Sequence, residues 1–321
     1  MDINQRNIKI WSTIGSRATL GLVALDLAKE KVNENLIILT CDVSTSAGLD
    51  RFRKLHPDKY FDLGIAEQNM IGVAAGLSSE GYKVITTTFA PFQTMRCCEQ
   101  IKVNLGYMGQ KICMVGIASG LSLGTLGFTH CCIEDVGVLR SIPGITIISP
   151  ADSLETVKAL QAALQLDGPS YIRLTGSSNN PIVYNKDYSF KIGKSIKLKE
   201  GSDITIFAAG ATVHASLEAA ELLDKKNLSC AVINMHTIKP LDFEAVKAAT
   251  NSKLIASVEE HNIIGGLGSA ISEYNTTIPN SPRQLFIGIK DTYGKGGEYQ
   301  FMKEKHGLTP NKIVSQILAN I

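Results

Sequence analysis

The sequence predicts an α/β protein of two domains, each a mostly parallel sheet flanked by helices. Three observations predict this. Aliphatic and β-branched runs of strand length alternate with helix-length segments along the whole chain. One polar, turn-rich stretch interrupts the alternation. The length, 321 residues, suits about two domains with sizeable cores.

In the first half the strand-like runs are 36–41, 83–88, 111–117, 145–148 and 170–174, each followed by a segment long enough to cross back as a helix. The turn-rich stretch runs from Ser177-Ser-Asn-Asn-Pro181 to Lys194 and has no periodicity. It sets the expected division: a first domain at 1–185, a linker at 186–195 and a smaller second domain at 196–321. In the second half strands are expected at 204–209, 230–235, 253–258 and 284–289, and helices at 212–225, 243–250 and 264–274. Two glycine turns there, Ala209-Gly210-Ala211-Thr212 and Gly265-Gly266-Leu267-Gly268, resemble phosphate-cradling loops, but neither completes G-x-G-x-x-G or a P-loop. Close backbone packing at strand-to-helix turns explains them more simply.

A hydrophobic fraction of 44% with 19% charged residues is ordinary for a globular chain, and a net charge of +2 with no Lys/Arg-rich run gives no reason to expect nucleic acid. The opening Met1-Asp-Ile-Asn-Gln-Arg6 lacks the order of a secretory signal, and no apolar run reaches bilayer length. A soluble, cytoplasmic protein with no membrane partner is therefore expected. The seven cysteines form no C-x-x-C and read as reduced core thiols. His130-Cys131-Cys132 lacks a second cluster to complete a metal shell, so no metal is assigned to this chain's own side chains.

The candidate site begins with Glu67, a lone carboxylate in Asp62-Leu-Gly-Ile-Ala-Glu67-Gln-Asn-Met70, a stretch without Lys or Arg. The following Met70, Ile71, Val73, Ala74, Ala75 and Leu77 leave almost no polar face, so a buried helix is expected with an acid in its first turn and no nearby cation. Such an acid is either a helix-end charge or a functional group whose pKa burial raises. Thr86-Thr-Thr-Phe89-Ala-Pro-Phe92-Gln-Thr-Met-Arg96 follows the next strand, where open α/β sheets place ligands. Phe89 and Phe92 could form a platform for a flat heterocycle or be core aromatics. His130 ends a glycine-studded loop as a proton-transfer group or a structural histidine.

These segments together resemble the transketolase family of thiamine diphosphate enzymes and the related deoxyxylulose-phosphate synthases. The resemblance rests on Phe61-Asp-Leu-Gly-Ile-Ala-Glu67-Gln-Asn, Thr88-Phe-Ala-Pro-Phe92, Gly127-Phe-Thr-His130, Pro143-Gly-Ile-Thr-Ile-Ile-Ser-Pro-Ala-Asp152 and Val258-Glu-Glu-His-Asn-Ile-Ile-Gly-Gly-Leu-Gly268. It implies a pyrimidine-binding domain followed by a carboxy-terminal transketolase domain. The family's Gly-Asp-Gly motif, which holds Mg2+ and the cofactor diphosphate, does not occur here. The resemblance thus implies the carboxy-terminal subunit of a split transketolase, active only with a partner chain that carries Gly-Asp-Gly, as an α2β2 heterotetramer.

By the same resemblance, Glu67 would hydrogen-bond N1' of the aminopyrimidine and favour its imino tautomer. Phe89 and Phe92 would bed the ring, Asp42 would sit near the thiazolium, and His130 would assist proton transfer to substrate oxygens. Arg17 and Ser46 would match positions that bind a sugar's distal phosphate. The rest of the substrate pocket departs from the family. Leu126 stands where members carry an acid, Ala118 where they carry a second histidine, and Gly176 where they carry an arginine, leaving Arg173 on the opposite strand face. Transfer of a two-carbon ketol unit is expected from a ketose donor to an aldose or modified-sugar acceptor, the latter modified or nucleotide-linked rather than a classical pentose phosphate. Two alternatives are the E1 beta chain of a 2-oxo acid dehydrogenase and a non-catalytic interaction subunit. His261 is expected near the domain junction, and Glu99, Lys102 and Arg140 on solvated helix faces.

Overall fold

A computed structural model of the chain describes residues 1–321 except Ser177, the first residue of the turn-rich stretch, which lies outside the described residues. Twelve strands are assigned among the described residues: β1 (Leu36–Thr40), β2 (Tyr60–Asp62), β3 (Lys83–Phe89), β4 (Ile112–Ser119), β5 (Thr146–Ile148), β6 (Ser170–Thr175), β7 (Ile196–Lys199), β8 (Ile204–Ala208), β9 (Cys230–Asn234), β10 (Thr237–Lys239), β11 (Leu254–Asn262) and β12 (Arg283–Ile289). They form a seven-stranded sheet, order β10-β5-β6-β4-β3-β1-β2, and a five-stranded sheet, order β12-β11-β8-β9-β7. Both are parallel except at one edge each, where β10 and β7 run antiparallel to their neighbours.

All nine expected strands are present within a few residues, and the short β2, β7 and β10 are additional to them. β10 comes from the second half of the sequence yet pairs with β5 of the first sheet, so the two units share a sheet edge. A three-residue strand has too few side chains to show a period, and its partner lies about ninety residues away.

The central strand β4 is buried at every position. Gly116 in it is required by close approach, because a Cβ there would meet the Tyr171 hydroxyl at 2.4 Å. The chain leaves β1 for β2 on one side and then crosses β1 to β3 on the other, so the sheet's switch point lies between β1 and β3. The carboxyl ends of β1, β3 and β4 present Asp42, Phe89 and the loop to His130 there.

The two sheets are joined by a closed polar seam. Arg173 on β6 donates from Nε to both Asp135 oxygens at 2.9 and 2.8 Å, and from Nη2 to the carbonyls of Cys132 and Glu260. Tyr171 donates to Asp135 at 2.7 Å. Glu260 accepts from the Leu121 N–H and from Tyr299. His261 is buried at the junction, as expected, with Nδ1–H directed to the Asn262 carbonyl and Nε2 accepting from the Gly137 N–H. Arg140 corrects the expectation of a solvated face: it bridges the units by donating to the Gly265 carbonyl and to Glu273. The Gly265–Gly268 turn is a packing feature. Leu267 and Gly268 donate their N–H groups to the Glu259 carboxylate, and a Cβ on Gly266 would lie 2.0 Å from the same carboxylate.

Candidate active site

Glu67 opens the Glu67–Ser79 helix and is only 3% exposed, although its side chain ends in a carboxyl group. The expectation that it lacks a cation is wrong. Arg96, 29 residues on, donates from Nη1 to its Oε2 at 2.8 Å. The helix also departs from expectation, because Gln68, Asn69, Gly72 and Gly76 are exposed and nothing lies near the two glycines. Small residues let one face of the helix stay open while Met70, Ile71, Ala74 and Ala75 enter the core.

Pro91 starts a short helix, Ala90–Gln93, directly after β3, and this turn brings Phe89 and Phe92 edge to face with centroids 6.4 Å apart. Phe92 stands edge to face with His130 at 5.5 Å. The Arg96 guanidinium carbon lies 4.1 Å from the centre of the Phe92 ring. Glu67, Arg96, Phe92, Phe89 and His130 therefore form one continuous chain of contacts at the carboxyl ends of β3 and β4.

Two buried thiols, Cys41 and Cys97, lie within electrostatic range of Glu67. Burial, reinforced by the Glu67 charge, pushes Cys41 up to about 11 and Cys97 up to about 12, so both stay neutral beside it. Cys131 and Cys132 are likewise core thiols, and the strand bridge between Gly120 and Cys132 closes the loop that carries His130. The second unit braces that loop: the Gly297 N–H donates to the Gly124 carbonyl, and Phe128 packs against Tyr293 and His306. Thr129 Oγ1 lies 3.0 Å from His130 Nδ1, leaving Nε2 free of that contact.

Asp42 sits just past β1 with a left-handed backbone, φ 55°, and an exposed side chain. Asp62 holds this turn by accepting from the N–H groups of Asp42 and Gly64. Burial pushes the Asp62 carboxyl up, but these bonds and those from Thr40 and Tyr60 outweigh it and hold its pKa below the ordinary value. Arg17 lies in the Gln5–Leu27 helix just past its kink at Gly15, and burial lowers its pKa. Ser46 is exposed in the turn after β1. Neither takes part in the contacts that join the Glu67 cluster. Leu126 is 55% exposed, Ala118 is fully buried with φ 54°, and Arg173 belongs to the seam.

Sequence reasoning did not assign a role to Arg96 or Asp62. Arg96 had a signal: it follows Phe92 by four residues, a spacing that brings two side chains together in helical turns.

Such a site combines a buried hydrogen-bond acceptor, an aromatic face and an imidazole at a switch point. The donor set fits a planar nitrogen heterocycle, because a planar cation of the chain itself, the Arg96 guanidinium, already satisfies Glu67 and Phe92 together. Among the described residues no cluster of three or more His, Cys, Asp or Glu side chains is placed to hold a metal ion, and no helix is long and apolar enough to cross a membrane.

Comparison with known proteins agrees with this arrangement. Residues 16–180 match the transketolase pyrimidine binding domain family and residues 193–313 match the transketolase C-terminal domain family. The chain is 37% identical over 294 residues to the 6-deoxy-6-sulfo-D-fructose transketolase subunit SqwH of Clostridium sp., covering 91% of this chain and 90% of that one. It is 37% identical over 281 residues to an apulose-4-phosphate transketolase subunit of Phocaeicola vulgatus, covering 87% and 88%. Among solved structures, a split-gene transketolase described as an inactive β4 tetramer superposes with a TM-score of 0.86 at 33% identity, covering 95% of this chain and 98% of that one. The chain belongs to the transketolase family, as a transferase subunit of the split, two-chain kind.

Proposed function

We propose that this chain, with a partner chain bearing the Gly-Asp-Gly motif, Mg2+ and thiamine diphosphate, transfers a two-carbon ketol unit from a ketose donor to a modified-sugar acceptor. The observation that carries the reading is the Glu67 carboxylate, buried at the sheet's switch point and reached over the Phe92 ring by a planar cation. When bound, thiamine diphosphate supplies the nucleophilic carbon that carries the transferred fragment. Glu67 holds a proton at N1' of the pyrimidine ring. Phe89 and Phe92 bed that ring and exclude water, which strengthens the Glu67 hydrogen bond. His130, at the edge of Phe92, moves protons to and from substrate oxygens. Asp42 lends negative charge on the thiazolium side. Arg17 and Ser46 are assigned to the far end of the substrate.

Two relatives are named for modified ketoses, the class that donates a ketol unit, which supports a modified sugar among the substrates of this site. So does Leu126, which leaves the loop before His130 without the family's acid. The relative described as an inactive β4 tetramer supports the need for a second chain. We assign an α2β2 assembly, with Mg2+ and diphosphate held by the partner, and a boundary between pyrimidine-binding and carboxy-terminal domains at 186–195. The reading includes a cytoplasmic location, which fractionation of cells carrying a tagged chain would check.

The test is reconstitution. The chain, its Gly-Asp-Gly partner, thiamine diphosphate and Mg2+ are mixed, and hydroxypyruvate is supplied as donor against a panel of aldose acceptors. Turnover only with both chains, and faster with a modified sugar than with ribose 5-phosphate, is expected. Efficient use of ribose 5-phosphate would refute the acceptor assignment, and turnover without the partner would refute the division of labour.

A further inference from the structure

The Arg96 guanidinium is the one member of the cluster that the proposed chemistry leaves without a task. It donates to Glu67 Oε2 at 2.8 Å and lies 4.1 Å from the centre of the Phe92 ring. Those two contacts are the ones an aminopyrimidine at this site would require. Both groups are planar π-systems with in-plane N–H donors, suited to a carboxylate at the edge and an aromatic ring at the face. Glu67 is 3% exposed, so its carboxylate offers little room for a second donor. Arg96 has a side chain 41% exposed on a flexible stem, so it can leave. Its backbone is tied down, because Gln68 Nε2 donates to the Arg96 carbonyl at 3.1 Å. Departure therefore needs only side-chain rotation.

We propose that Arg96 is an internal stand-in for the pyrimidine, which rests on the assignment of Glu67 and Phe92 as that ring's partners. In the chain without ligand the guanidinium neutralises the buried carboxylate and covers the Phe92 face. It swings toward solvent when the heterocycle docks. The ligand must displace it, so affinity is lowered by the fraction of molecules in which the site is already filled.

The test titrates thiamine, and separately 4-amino-2-methylpyrimidine, into the full-length chain and its variants by calorimetry, with thermal unfolding to confirm that each variant folds. Arg96→Ala is expected to bind about three- to tenfold more tightly than the wild-type chain, a range set by a partly exposed ion pair. Arg96→Lys, which keeps the charge without the flat face, should fall between them. Adding Glu67→Gln to Arg96→Ala should abolish the gain. In the wild-type chain the NMR signal of the Arg96 side-chain Nε–H should move toward that of a solvated arginine as thiamine is added. Equal or weaker binding by Arg96→Ala, or a static Arg96 signal on saturation, overturns the proposal. If Glu67→Gln weakens binding in those circumstances, the pyrimidine assignment survives it. If Glu67→Gln leaves binding unchanged in both backgrounds, that assignment itself fails and takes the proposal with it.

Discussion

Two acid–arginine pairs with the same 2.8 Å contact distance sit in opposite settings. Asp135 and Arg173 are 0% and 3% exposed, and several of their polar atoms find further partners, including carbonyls and a tyrosine hydroxyl. Glu67 is buried as deeply, but its Arg96 is 41% exposed and lies over an aromatic ring at the carboxyl ends of the central strands. A pair locked on both sides can only hold the two units together. A pair with one mobile partner can be exchanged for a ligand. Contact distance alone does not separate the two cases; the surroundings of the cation do.

The largest stability effect is expected from breaking the locked pair. Arg173→Leu leaves Asp135 buried without its cation and should destabilise the chain by about 3 to 5 kcal/mol in chemical denaturation. Adding Asp135→Leu should cost less than the sum of the single changes, because it removes the stranded charge.

A second interior group gives the locked side of the comparison a pH dependence. His236, between β9 and β10, is fully buried and stacked on Phe190 with centroids 4.3 Å apart. Burial lowers its pKa from 6.5 to about 4. The unfolded chain then binds a proton that the folded chain refuses between those values, so stability from this group is present above pH 6.5 and is lost as pH falls toward 4. The loss is expected to reach up to roughly 3 kcal/mol. His236→Phe should remove that part of the slope from a series of denaturation curves; an unchanged slope would assign it elsewhere.

The exchangeable pair should show the reverse. Arg96→Met strands the buried Glu67 carboxylate but removes a cation that is already 41% exposed, so it is expected to cost roughly 1 to 2 kcal/mol, well below Arg173→Leu. A loss as large as that of Arg173→Leu would make the two pairs equivalent and remove the distinction.

The alternation of strands and helices, and the fold class with it, was legible because each long element carries its own period. The clustering of the candidate site was legible where chemistry and position coincided: Glu67, the Phe89–Phe92 pair and His130, from three separate segments, meet at the carboxyl ends of β3 and β4. What the sequence hid was pairing across distance. A stretch around Glu67 without Lys or Arg suggested an isolated acid, yet the fold supplies Arg96 from beyond the next strand. Arg140 looked like surface charge because its partners, Gly265 and Glu273, lie in the other unit. β10 was invisible for the same reason, since it is defined by β5 and not by its own three residues.

The central claim is that Glu67 works on a bound ring rather than holding the fold. Its most direct test is Glu67→Gln in the enzyme reconstituted with its partner, thiamine diphosphate and Mg2+, with turnover and thermal unfolding measured on the same preparation. Turnover is expected to fall by about 10²- to 10⁴-fold, the range for loss of a proton-transfer group, while the unfolding midpoint stays within a few degrees. Wild-type turnover by Glu67→Gln would contradict the account.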